Sequence, residues 1–186
     1  MPRRPGELCK VWRLDARGLA PDVFNTTANV SASSTCAVET FTAGKFHVLL
    51  NGLGGIAVDV SGTSSTGVIA NEIHGEDSQQ WEIIKFGLGY AIRSSRTSAD
   101  GQPLYLTLDG GGARDGAQIV VGTHPVAWNV EQLETGVKIS WPNSNFVFHL
   151  AKEGAQAVHN TIRLLPHIPG ELCQLWRTTH VTAACK

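Results

Sequence analysis

Asp59 stands between Val58 and Val60 in the run Ile56-Ala57-Val58-Asp59-Val60. Successive side chains of an extended strand point to opposite faces, so a pattern that sends the two valines to a core sends the carboxylate outward, toward the loops. An ionised carboxylate held there can accept two hydroxyl protons from a polyhydroxylated ligand, provided that other polar groups stand beside it. Asn71, Glu72, His74 and Ser78 follow within the next nineteen residues and supply such groups. The same pattern also suits an exposed aspartate that only holds a turn.

Other chemistries find little support. The chain has no GxSxG, no HExxH and no glycine-rich phosphate loop between a strand and a helix. Gly52-Leu53-Gly54-Gly55 and Gly110-Gly111-Gly112 lie between β segments and read as hairpin turns. Glu72, Glu76 and Asp77 read as a solvated loop rather than an acid/base set. These features predict a protein that is not an enzyme. Cys9, Cys36, Cys173 and Cys185 show no CxxC or Cys/His ligand spacing, so neither a metal nor another cofactor is expected, and the thiols are expected to be reduced.

Fifteen basic against sixteen acidic residues leave a formal net charge of −1 and no basic face for nucleic acid. No stretch approaches the roughly 18 apolar residues of a membrane span. The N-terminus, Met1 to Lys10, starts basic but lacks the apolar centre of a signal peptide. The expectation is a cytoplasmic protein without membrane insertion, in which the sequons at Asn25-Thr26-Thr27 and Asn29-Val30-Ser31 carry no glycan.

The elements that must hold Asp59 repeat. Trp81, Trp128 and Trp176 lie 47 and 48 residues apart and close similar blocks: Gln79-Gln80-Trp81, Val126-Ala127-Trp128 and Gln174-Leu175-Trp176. Glycine-led strands open at Gly44, Gly89 and Gly136, 45 and 47 residues apart. A period in this range, filled with short alternating strands, marks a repeat architecture. Phe46, Val48 and Leu50 alternate before the Asn51-Gly52 turn, and Ile56, Val58 and Val60 after it. Val68-Ile69 and Trp81-Ile83 supply two further strands. Tyr90-Ile92, Leu104 to Leu108, Ile119 to Val121 and Trp128-Val130 repeat the series. Val137-Ile139, Phe146 to Leu150, Ile162-Leu164 and Leu172-Gln174-Trp176 complete it. The prediction is all-β: a β-trefoil of three four-stranded repeats over residues 44–186, with its tryptophans in the core and an irregular N-terminal extension over residues 1–43 packed on it or exchanged with it.

Gly55-Ile56-Ala57-Val58-Asp59-Val60, Val68-Ile69 and Ser78-Gln79-Gln80-Trp81-Glu82, with the QxW element recurring at Gln174-Leu175-Trp176, resemble the ricin-B-type lectins. The small intracellular fungal lectins of mushrooms are the nearest in pattern. Tyr105-Leu106-Thr107-Leu108 and the run from Asp115 to Gly122 resemble the second repeat of those proteins. The resemblance implies a carbohydrate-binding protein for glycans of the galactose or N-acetylgalactosamine type, and homodimers among its assemblies. It places the carboxylate at Asp59, a polar partner at Ser78 where the family has asparagine, and the stacking position near Asn71 or Glu72, with His74 close enough to swing in. Thr107 and His149 match Asp59 in the other repeats, and Pro125 and Cys173 match Ser78, so a single site in the first repeat is expected.

Mushroom protease inhibitors resemble this fold as well, which sets a protein-binding trefoil with a protease partner as the alternative. Thr26 to Cys36, Ser94 to Gln102, Lys152 to Asn160 and the stiff Pro166-His167-Ile168-Pro169-Gly170 are the loops it would use. One further match stands apart. Residues 5–13, PGELCKVWR, repeat residues 169–177, PGELCQLWR, at seven of nine positions. The copy reads as a duplicated ornament, as the remnant of another domain, or as a strand that competes with the C-terminal one and permits exchange between chains.

Overall fold

The computed structural model describes residues 41–62, 66–151 and 160–180. The chain divides into Met1–Ala37 and Val38–Lys186; the first unit, with its PGELC copy and sequons, lies outside the described residues, as does Lys152–His159.

Among the described residues twelve strands follow one another in three sets of four. The first set is β1 (Phe46–Asn51), β2 (Ile56–Val60), β3 (Val68–Glu72) and β4 (Gln80–Phe86). The second is β5 (Gly89–Thr97), β6 (Pro103–Leu108), β7 (Ile119–Gly122) and β8 (Asn129–Leu133). The third is β9 (Gly136–Ser140), β10 (Phe146–Ala151), β11 (Asn160–Pro166) and β12 (Trp176–His180). The first and last strands of each set close a six-stranded antiparallel barrel, in the circular order β1, β4, β5, β8, β9, β12 and back to β1. Closure leaves no long open edge. The seam between β5 and β8 is its thinnest, two hydrogen bonds exchanged between Tyr90 and Trp128. The middle strands form three hairpins, β2–β3, β6–β7 and β10–β11, which meet through β3, β7 and β11 to cap the barrel. This is the β-trefoil.

The three tryptophans are fully buried. Each indole Nε1 donates to a carbonyl in the second strand of its own set: Trp81 to Val58 at 2.9 Å, Trp128 to Leu106 at 3.0 Å and Trp176 to Phe148 at 3.3 Å. A buried indole needs such a partner, and the repetition of the same bond makes the three sets physically equivalent. Phe148 lies between two of the indoles, edge-on to Trp128 at 4.7 Å and to Trp176 at 6.4 Å.

The glycine landmark is only partly equivalent. Trp81 pairs with His47, Trp128 with Tyr90 and Trp176 with Val137. Gly89 and Gly136 directly precede two of these partners, and a Cβ at either would collide with a tryptophan carbonyl oxygen. Phe46 takes that place in the first repeat, whereas Gly44 lies two residues earlier, in a turn with φ of 76°. Leu172–Gln174, expected as strand, is a 3₁₀ turn, and the same turn occurs at Asp77–Gln79. Ser94–Thr97 belongs to β5, and the rest of the supposed long loop is a tight turn, with Ser98 N–H donating to Gln102 O and Gly101 N–H to Ser98 O. Cys173 is disulfide-bonded, contrary to the expectation of reduced thiols.

Candidate functional site

β2 pairs with β3 so that Ala57 faces Asn71 and Asp59 faces Ile69. The chain then leaves β3, runs through His74 to Glu76 and turns at Asp77–Gln79 into β4. Gln79 holds this loop. Its Oε1 accepts the backbone N–H groups of His74 (3.0 Å) and Gly75 (3.1 Å), and its Nε2 donates to Glu72 O at 2.7 Å. The buried amide thereby satisfies backbone groups that no strand partner reaches.

That loop covers Asp59. Alternation does turn its side chain away from Val58 and Val60, but it is not exposed: only 6% of the side chain meets solvent. Three donors converge on Oδ2, namely His74 Nε2 at 2.8 Å, Gln79 Nε2 at 3.2 Å and Asn71 Nδ2 at 3.3 Å. Oδ1 accepts no hydrogen bond among the described residues. His74 Nδ1 accepts the Glu76 N–H at 3.3 Å, so the ring carries its proton on Nε2 and donates it to Asp59. The His74 side chain is 34% exposed and forms the outer wall of the cluster.

The expected residues therefore separate. Asp59, Asn71 and His74 come together. Glu72 joins through its backbone alone, since its N–H donates to Asn71 Oδ1 and its carbonyl accepts from Gln79 Nε2, while the residue itself is exposed. Ser78 makes no hydrogen bond to Asp59 among the described residues. It lines a neighbouring depression of about 490 Å³ with Glu76, Asp77 and Arg96. Gln79 is the member of the cluster that sequence reasoning did not place at the carboxylate. Its signal was the QxW element itself, but a reach of twenty residues back to Asp59 appears only in three dimensions.

The third repeat keeps the brace and loses the acceptor. Gln174 Oε1 accepts the Ile168 N–H at 2.7 Å and its Nε2 donates to Pro166 O at 2.9 Å, the same two roles that Gln79 plays. His149 occupies the place of Asp59, opposite Arg163 on β11. Burial lowers its pKa below the usual histidine value, and the Glu171 carboxylate partly opposes this. In the second repeat Thr107 holds that place, opposite Val120, and Val126 replaces the bracing glutamine. Among the described residues there is no cluster of histidine, cysteine and carboxylate groups suited to a metal ion.

No family model and no curated protein matches the chain. Solved structures do. It is similar to the Macrolepiota procera ricin B-like lectin in complex with lactose, with a TM-score of 0.67 and 23% identity over 77% of this chain and 100% of that one. It is also similar to the designed threefold symmetric protein ThreeFoil (TM-score 0.62, 20% identity, 73% and 99% of the two chains). The Rhizoctonia solani agglutinin gives 0.59 and 17% over 77% and 99%. The shared feature is the fold, the β-trefoil.

Proposed function

We propose that this trefoil is a carbohydrate-binding protein whose one site is the Asp59 cluster of the first repeat, with Asn71 and His74 beside the carboxylate, Glu72 and Ser78 at its margins, and terminal galactose or N-acetylgalactosamine as the sugar. The observation that carries the reading is the threefold comparison. Of the three equivalent positions, 59, 107 and 149, only the first holds a carboxylate, and among the described residues it is there that the loop brings polar side chains onto it. A mostly buried aspartate whose Oδ1 carries no donor from the described residues is a directional acceptor for a ligand hydroxyl. The galactose preference rests on the fold resemblance.

One such site binds weakly, so function calls for glycans displayed in number or for a homodimer presenting two sites. A glycan array probed with the wild type and with Asp59→Asn is the direct test. Asp59→Asn keeps the shape of the carboxylate and removes its charge; it should lose the wild-type signals. Equal binding by both would move the site elsewhere.

A second reading has one observation in its favour. The exposed Pro166–Gly170 segment is held at two adjacent residues, by His167 N–H to Asn145 O at 2.8 Å and by Ile168 N–H to Gln174 Oε1 at 2.7 Å, and it presents Ile168 at 48% exposure. A rigid loop offering an apolar side chain is what a protease inhibitor needs. Inhibition of a cysteine, serine or aspartic protease, with silence on the array, would favour it.

A further inference from the structure

We infer that His74 limits Asp59 to a single ligand hydroxyl, and so decides which sugars the first-repeat site accepts; the inference rests on the carbohydrate reading above. A free carboxylate has two oxygens and about four acceptor directions, enough to hold two neighbouring hydroxyl groups of one sugar. Here one oxygen is already used. Oδ2 receives His74, Gln79 and Asn71. Gln79 is fully buried and fixed by three backbone partners, so it does not yield. His74 is the shortest of the three contacts and the outermost, and it is oriented from its far side by the Glu76 N–H on Nδ1. That backbone donor fixes the tautomer and keeps the Nε2 proton aimed at Oδ2. A second hydroxyl would have to displace a preoriented hydrogen bond, while Oδ1, with no donor from the described residues, takes the first.

The consequence is a recognition pattern. A sugar bound through one hydroxyl loses its affinity when that group is deleted and tolerates deletion of the adjacent one. Removing the imidazole leaves Gln79 and Asn71 on Oδ2 but takes away its shortest and outermost donor, so a second hydroxyl can compete with the longer Asn71 contact and both neighbouring hydroxyls then count.

The experiment measures binding of methyl β-galactoside and its monodeoxy analogues to the wild type, His74→Ala and His74→Gln by titration calorimetry. The wild type should lose on the order of tenfold or more in affinity for one deoxy analogue only among those with neighbouring hydroxyls. His74→Ala should lose affinity for two. His74→Gln, which returns a donor to the same place, should restore the single-hydroxyl pattern. Two sensitive hydroxyls in the wild type, or one pattern shared by the wild type and His74→Ala, overturns the inference and leaves the carbohydrate reading standing. No binding of any glycan by the wild type or His74→Ala on an array removes the carbohydrate reading and this inference with it.

Discussion

The first and third repeats share one scaffold and differ in what it holds. Both close with a buried tryptophan bonded to the preceding hairpin, and both use a glutamine two residues earlier to hold the loop. In the first repeat that glutamine also reaches a carboxylate, and the loop brings a histidine down beside it. In the third, His149 stands in that place and the loop turns Ile168 outward. Beside it lies an apolar cleft of about 170 Å³ lined by Leu133, Ile168, Leu172 and Leu175 among others. The QxW element is thus a structural device, and the residue on the neighbouring hairpin decides whether a polar cluster forms above it.

The largest effect tests the shared part. Trp81→Ala and Trp176→Ala should each cost about 3 to 5 kcal/mol, because each empties a fully buried position and strands a carbonyl. Urea unfolding measures both, and a small cost for one alone would break the equivalence of the repeats.

Gln79→Ala and Gln174→Ala separate the shared role from the special one. Each should destabilise by about 1 to 3 kcal/mol, since backbone groups lose their only partners. Only Gln79→Ala should also weaken glycan binding. Loss of binding in Gln174→Ala would place a site in the third repeat.

Asp59→Ala should cost about 1 to 3 kcal/mol, because three donors lose their acceptor. An exposed aspartate would change stability by less than about 0.5 kcal/mol. An unchanged melting temperature would mean that the loop does not cover it.

The smallest effect belongs to His149. Its folded-state pKa lies below the ordinary histidine value, so as pH falls the unfolded chain takes up its proton first. The wild type should therefore lose stability as pH drops below about 6.5 and on through the lowered folded value, and gain nothing from this group above that range. His149→Gln should lose less between pH 7.5 and pH 5. Identical urea midpoint shifts for the two proteins would remove burial of the neutral ring from the account.

Much of this was legible in the chain. The tryptophan spacing and the alternating runs marked all three repeats, and the change from Asp59 to Thr107 and His149 was visible by alignment of the repeats alone. Leu172–Gln174 was misread because alternation over three residues does not distinguish a strand from a 3₁₀ turn, and hydrogen bonding inside the turn decides between them. Asp59 was placed on the correct face, but its burial was missed because strand period says nothing of a loop that folds back over that face. Ser78 was assigned to the same pocket by family position, whereas it lines the depression beside Arg96.

What the sequence by itself determined is the threefold barrel, since burial of apolar alternation at a regular period has few solutions and a closed trefoil is one that leaves no edge. What only the tertiary structure decided is the state of the carboxylate: covered, with one oxygen engaged by Asn71, His74 and Gln79 and no donor from the described residues on the other. Those donors come from three places along the chain, and directional bonds of about 3 Å between them depend on loop geometry that no local pattern encodes.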